Sequence, residues 1–165
     1  ATIAIADYEG PVYLRFGRPK VANFTPADQN FEIGKGILLQ EGTDVTIVAT
    51  GHLVWEALEA AKTLQTNGIS AEVINIHTIK PLDKDIIIKS VGKTGAIVTA
   101  EEHNYLGGLG ESVARVLAES TPTPQEFIAT QDTFGESGTP AQLMDKYGLN
   151  AAAIVKASEK VIQRK

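Results

Sequence analysis

The chain has 165 residues, enough for one domain that buries roughly 70% of its unfolded surface. It has no cysteine and a net charge of −5 with its Lys and Arg scattered, which excludes disulfides, thiolate catalysis and Cys-ligated zinc and argues against a sequence-independent grip on nucleic acid or a polybasic membrane patch. No apolar run approaches the ~20 residues that span a bilayer and no signal-peptide pattern opens the chain, so a cytoplasmic α/β domain with no nucleic-acid or membrane partner is the expectation.

Residues 1–8 are rich in Ala and Ile and read as the last turns of a helix. Gly10-Pro11 signals a turn, and Val12-Tyr13-Leu14-Arg15-Phe16 reads as a strand closed by Gly17-Arg18-Pro19. A chain that opens in a helix tail without a cap is expected to continue from an upstream section. Residues 20–31, with Pro26 among polar neighbours, show no period and read as a linker.

From there strands and helices alternate. Residues 34–39 read as an edge strand, residues 44–49 as a strongly apolar strand, and Leu53, Ala57, Ala60, Ala61 and Leu64 as one face of a helix ended by Asn67-Gly68. Residues 70–76 form the next strand, and Asp83 is placed to cap a helix carrying Ile86, Ile87 and Val91. A strand over 95–99 leads into a polar turn at 101–110 and a helix carrying Leu109, Val113, Val116 and Leu117. Pro122 and Pro124 break the chain before a strand at 125–130 and a polar loop at 131–138. Thr139-Pro140 starts a helix stopped by Gly148, and a last helix begins near Asn150. The alternation predicts a mainly parallel sheet with helices on both faces.

Four features are candidates for chemistry. His52, His77 and His103 each follow a predicted strand, so parallel strands bring them to one edge. They read either as a shared metal site, although none pair at i, i+3 or i, i+4, or, for His52 and His77, as turn residues bonded to backbone carbonyls. The second reading is favoured. Glu101-Glu102-His103 reads either as an acid/base group, with a carboxylate orienting the imidazole, or as loop architecture in which carboxylates accept N–H bonds from the next helix. Gly107-Gly108-Leu109-Gly110 is similar to a phosphate cradle at a helix start, but it lacks the dinucleotide spacing and the P-loop lysine. Close helix–strand packing or a subunit contact accounts for these glycines equally well. Arg18 offers either a two-pronged grip on phosphate or carboxylate or a surface ion pair.

Taken together, GPVYLRFGRP (10–19), TIKPLD (78–83), EEHNYLGGLGESVA (101–114) and DTFGESGTPAQLMDKYGL (132–149) resemble the C-terminal section of a transketolase, in the order that family carries them. The resemblance implies three parts: residues 1–20 as the last helix turns and strand of a pyrimidine-binding domain, residues 21–30 as a linker, and residues 31–165 as the C-terminal domain. It implies a three-layer α/β/α fold with five strands, mostly parallel, the first strand antiparallel. It also implies thiamin diphosphate and magnesium as cofactors, bound by parts of the enzyme other than this chain, since the Gly-Asp-Gly motif and the glutamate that activates the aminopyrimidine are absent here. The implied activity is transfer of a two-carbon ketol unit between sugar phosphates in the pentose phosphate pathway. The implied assembly is a cytoplasmic homodimer with an N-terminal section, and this chain alone is expected to be inactive.

Arg18 matches the family arginine that binds the phosphate end of the sugar, whereas Glu102 and His103 match a loop near the dimer interface for which no catalytic role is established. Deoxyxylulose-phosphate synthase and the β subunits of 2-oxo-acid dehydrogenases carry the equivalent domain and stand as alternatives, as does a non-catalytic assembly or regulatory domain. His103 and the FGESGTP run favour transketolase.

Overall fold

In the computed structural model, residues 1–17, 20–26 and 28–165 are described. In chain order the elements are α1 (Thr2–Ala6), β1 (Ile37–Gln40), β2 (Val45–Ala49), α2 (Leu53–Thr66), β3 (Ala71–Asn75), α3 (Lys84–Thr94), β4 (Ile97–Asn104), α4 (Leu109–Glu119), β5 (Gln125–Thr130), α5 (Pro140–Lys146) and α6 (Ala151–Ile162).

All five residues of β2 and all five of β3 are buried. Strands covered on both faces sit at the middle of a parallel sheet between helical layers. The strand order is β1-β3-β2-β4-β5. β3, β2, β4 and β5 run parallel, and β1 alone is antiparallel, pairing with β3. Strand order and direction therefore match the expected three-layer α/β/α fold with an antiparallel first strand.

Apolar helix stripes fill both sides. Leu53, Ala57, Ala61 and Leu64 of α2 join Ile154 and Val161 of α6 against Val45, Ile47, Val73 and Val98. On the opposite face Ile87 and Val91 of α3 join Leu109, Val113 and Leu117 of α4 against Val48, Ile74 and Ile97. Each fully buried aliphatic side chain contributes about 1.5–3 kcal/mol relative to exposure, so these two clusters hold the domain. The polar Thr46 in the central strand is tolerated because its hydroxyl meets Ser90 Oγ at 2.6 Å and Thr94 Oγ1 at 2.7 Å, both from α3.

The helix limits follow local chemistry. The Asp83 carboxylate accepts from the Ile86 N–H at 3.4 Å, and its second oxygen accepts from the Gly36 N–H at 2.9 Å, tying the approach to β1 onto the head of α3. Gly68, just beyond the Asn67 cap of α2, takes φ +79°, a conformation that favours glycine. Thr139 and Gln142 form a reciprocal capping box at α5, and Asn150 caps α6.

Three expectations need correction. Val12–Phe16 is not a strand: these residues are exposed and join no sheet among the described residues. A strand exists only through its ladder partners, and none of the described residues pairs with this run. β4 does not end at 99 but runs on to Asn104, because Asn104 still pairs with Thr130 of β5 after a register shift. Glu101, Glu102 and His103 thus lie in a strand rather than in a turn. β1 also starts at Ile37, three residues later than predicted.

Candidate functional site at the carboxyl edge of the sheet

Because β2, β3, β4 and β5 run parallel, their carboxyl ends share one edge, the usual place for ligands in open α/β sheets. β2 leads to His52, β3 to His77, β4 ends in Glu101–Asn104, and β5 leads to Gln131 and Asp132.

Glu101 is buried, and both of its carboxylate oxygens are engaged. Oε2 accepts from the Leu109 N–H at 2.7 Å and Oε1 from the Gly110 N–H at 2.8 Å. The side chain therefore does for α4 what a capping residue does locally, satisfying orphan donors and placing negative charge at the positive end of the helix. Gly108 is glycine because a Cβ there would collide with the Glu101 carboxylate. Gly110 is glycine because a Cβ would come within 2.5 Å of Phe127 Cδ1 and 3.1 Å of Thr99 Oγ1. The Gly107 N–H is taken by Glu111 Oε2 at 2.7 Å. Loop architecture and close helix–strand packing, not an open cradle, account for residues 107–110.

Glu102, the next strand residue, faces the opposite side, as adjacent strand positions do. Its Oε2 lies 3.0 Å from His52 Nδ1, and its backbone carbonyl accepts from Arg15 Nη1 at 3.4 Å. His103 is exposed, with Nδ1 2.7 Å from the Asn104 carbonyl oxygen. No carboxylate orients it. Asn104 donates to Asp132 Oδ1 at 2.8 Å and accepts from the Leu106 N–H at 2.9 Å, which fastens the end of β4 to the loop after β5.

His77 packs against the ring of Phe31 with centroids 4.3 Å apart, and its Nδ1 lies 2.8 Å from Thr78 Oγ1. Burial lowers its pKa below the ordinary value of 6.5, since a desolvated imidazolium is disfavoured. The favoured reading of His52 as the partner of a backbone carbonyl is corrected, since its ring meets the Glu102 carboxylate; His77 has the Thr78 hydroxyl beside it and a backbone hydrogen bond at Lys35 that partly offsets the effect of burial. The three histidines do not converge, and no group of three or more His, Cys, Asp or Glu that could hold a metal occurs among the described residues. Arg18 lies outside the described residues.

The pair that sequence reasoning missed is His52–Glu102. No sequence signal points to it, because it depends on the register: Ala49 lies opposite Ala100 in the β2–β4 ladder, so residues 52 and 102 leave neighbouring strands at nearly the same height.

Binding of a diphosphate at a helix start needs free N–H donors. At α4 those of Leu109 and Gly110 are already used by Glu101, so the Gly-rich start of α4 does not fit the diphosphate of a thiamin cofactor.

A five-stranded mixed sheet between two helical layers, with its Gly-rich helix start closed by an internal carboxylate, defines a three-layer α/β/α domain. The chain belongs to the transketolase C-terminal domain family, whose model matches residues 34–154. It is 45% identical over 161 residues to the 6-deoxy-6-sulfo-D-fructose transketolase subunit of Clostridium sp. (strain MSTE9), covering 98% of this chain and 50% of that protein. It is 40% identical over 164 residues to 1-deoxy-D-xylulose-5-phosphate synthase 1 of Geobacter sulfurreducens, covering 96% of this chain and 26% of that protein. Among solved structures, a chain titled split gene transketolase, inactive beta4 tetramer, superimposes with a TM-score of 0.94 at 48% identity, covering 98% of this chain and 55% of that one. The chain thus spans about half the length, or less, of the relatives it matches.

Proposed function

We propose that this chain is the C-terminal section of a transketolase-type enzyme that moves a two-carbon ketol unit between sugar phosphates, and that it is inactive alone. Thiamin diphosphate and magnesium are held by other sections of the enzyme. The observation that carries this reading is the match of residues 34–154 to the transketolase C-terminal domain, in a domain whose helix start is closed to phosphate by Glu101.

Residues 1–20 are read as the end of the pyrimidine-binding domain and 21–30 as the linker to the domain proper at 31–165. Supporting this, the described residues before Phe31 include none that is buried, while Val12, Tyr13 and Phe16 expose their apolar side chains. Surface of that kind is ordinarily covered by a neighbouring section. In the same reading the enzyme is a cytoplasmic homodimer working in the pentose phosphate pathway or on a related sugar. His103, near the end of β4, and the exposed Leu106 just beyond it belong to the stretch assigned to assembly.

Arg18 is the residue assigned to the substrate, gripping its terminal phosphate. The relative named for a sulfo-sugar fits the same chemistry, because a sulfonate offers the oxyanion edge that a guanidinium binds.

The test is reconstitution. Mixed with the N-terminal section, thiamin diphosphate and magnesium, the chain should support ketol transfer from xylulose 5-phosphate, with neither part active alone. Full activity without this chain would leave it an assembly or regulatory domain. In the mixture, Arg18→Ala should raise KM for phosphorylated sugars by a factor equivalent to about 2–4 kcal/mol, the scale of a lost buried ion contact; an unchanged KM would remove Arg18 from the site. A synthase-type reading is kept by the 40% identity to the Geobacter protein, and formation of 1-deoxyxylulose 5-phosphate in place of ketol transfer would select it.

A further inference from the structure

We infer that the hollow between the loop after β5 and the end of α5 receives an arginine side chain presented by another section of the enzyme, its guanidinium lying among Phe134, Tyr147 and the Glu136 carboxylate. The inference rests on the reading of this chain as one section of a larger enzyme.

The hollow measures about 310 Å3 and is lined by Gln131, Thr133, Phe134, Glu136, Lys146 and Tyr147. That volume lies near the lower limit of roughly 300 Å3 for ligand sites, so it suits one long side chain. Two aromatic rings, a carboxylate and neutral oxygens make up its wall. A guanidinium uses that set: it stacks on aromatic faces and offers two parallel N–H groups to a carboxylate. Gln131 Nε2 donates to the Ala129 carbonyl at 3.0 Å, so its amide oxygen is the group it can turn to a ligand, and the Thr133 hydroxyl is a second acceptor.

The charge around the hollow agrees. Residues 103–111 and 131–147 carry Glu111, Asp132, Glu136 and Asp145 against a single Lys146. An incoming cation meets a net negative surface there, whereas a second copy of the same face would be repelled. Lys146 Nζ lies 2.5 Å from Glu136 Oε2, with the two side chains 49% and 58% exposed. An ion pair so exposed contributes little, and the planar fork of a guanidinium matches the carboxylate better than an ammonium does.

The walls are braced within this chain. The Tyr147 hydroxyl donates to the Phe134 carbonyl at 3.3 Å, and Asn104 Nδ2 donates to Asp132 Oδ1 at 2.8 Å. Phe134 is nevertheless 97% exposed. An aromatic ring held at the surface is the usual anchor of an interface. The Asn104–Asp132 bond joins this loop to the stretch after β4 assigned to assembly, and on that continuity the arginine is assigned to another section of the same enzyme.

The experiment has two arms. In the first, the full chain is titrated with N-acetyl-arginine amide and the backbone amide shifts of residues 131–147 are followed. The shifts should saturate, with binding about tenfold weaker for N-acetyl-lysine amide and in Phe134→Ala, and about fivefold weaker in Glu136→Gln. Shifts that do not saturate, that are equal for the lysine probe, or that persist unchanged in both variants would overturn the site. In the second arm, association of the full chain with the N-terminal section should weaken about tenfold in each variant, at an unchanged urea midpoint. If the probe binds and the wild-type sections associate, but the variants associate as tightly, the assignment of the partner is overturned. Self-association of the chain that is lost in Phe134→Ala would give the hollow to a second copy and overturn it as well. If the sections do not associate at all, the larger-enzyme reading falls and takes the partner with it, while the guanidinium site stands or falls on the first arm.

Discussion

Residues 45–49 and residues 12–16 are five-residue runs of nearly the same character, VTIVA and VYLRF, each with four apolar side chains and one polar one. Each reads as a strand. The first is the central strand of the sheet, with every residue buried. The second joins no sheet, and Tyr13 and Phe16 are 87% and 84% exposed. The two differ in their surroundings rather than in propensity. β2 has β3 and β4 on either side and a helical layer on each face, whereas no strand pairs with 12–16 among the described residues. Strand character in a short apolar run states what the run would do given partners; it does not supply them.

The sharpest way to test that contrast is truncation on both sides. Ile47→Ala, in β2, should destabilise the domain by about 3 kcal/mol, as expected for removing buried methyl groups from a packed core, read as a shift in the urea midpoint without a change in slope. A cost below ~1 kcal/mol would mean the sheet centre is far less tightly packed than it looks.

His77 follows β3 and packs against the ring of Phe31. Burial lowers its pKa from 6.5, so the unfolded chain binds the proton more readily than the folded one. The stability it contributes is fully present above the unfolded value, falls as pH drops from about 6.5 and is lost through the lower folded value. His77→Gln should flatten the stability-versus-pH curve in that window. An unchanged slope would assign the acid sensitivity to other groups.

The smallest effect is expected in the segment. Phe16→Ser should change the stability of this chain by no more than about 0.5 kcal/mol, as for a surface position, while weakening association with the partner section if residues 1–20 pack there. A large loss of stability in the chain alone would show that the segment belongs to the core after all.

The carboxyl edge shows how much of the site could be read in advance. The two carboxylates, the histidines and the glycines were all visible as candidates, and the alternative in which carboxylates serve the next helix is the one Glu101 follows. Their division of labour was not visible. Reading 101–110 as a turn left the directions of Glu101 and Glu102 open, whereas the extension of β4 to Asn104 sends one to α4 and the other to His52.

By itself the sequence determined what depends on near neighbours. The apolar periods of β2, β3, α2 and α4, the Asp83, Thr139 and Asn150 caps, the glycine after α2 and the family motifs each require only a few consecutive residues, and local steric and hydrogen-bonding preferences act over that range. Only the tertiary structure decided what joins distant residues. It left Val12–Phe16 without a ladder, extended β4 through pairing with Thr130, closed the Gly107–Gly110 turn with a carboxylate eight residues upstream of Leu109, and set Glu102 against His52 through the Ala49–Ala100 register. A side chain's partner is fixed by which strands lie side by side and at what height, and that is a property of the assembled sheet.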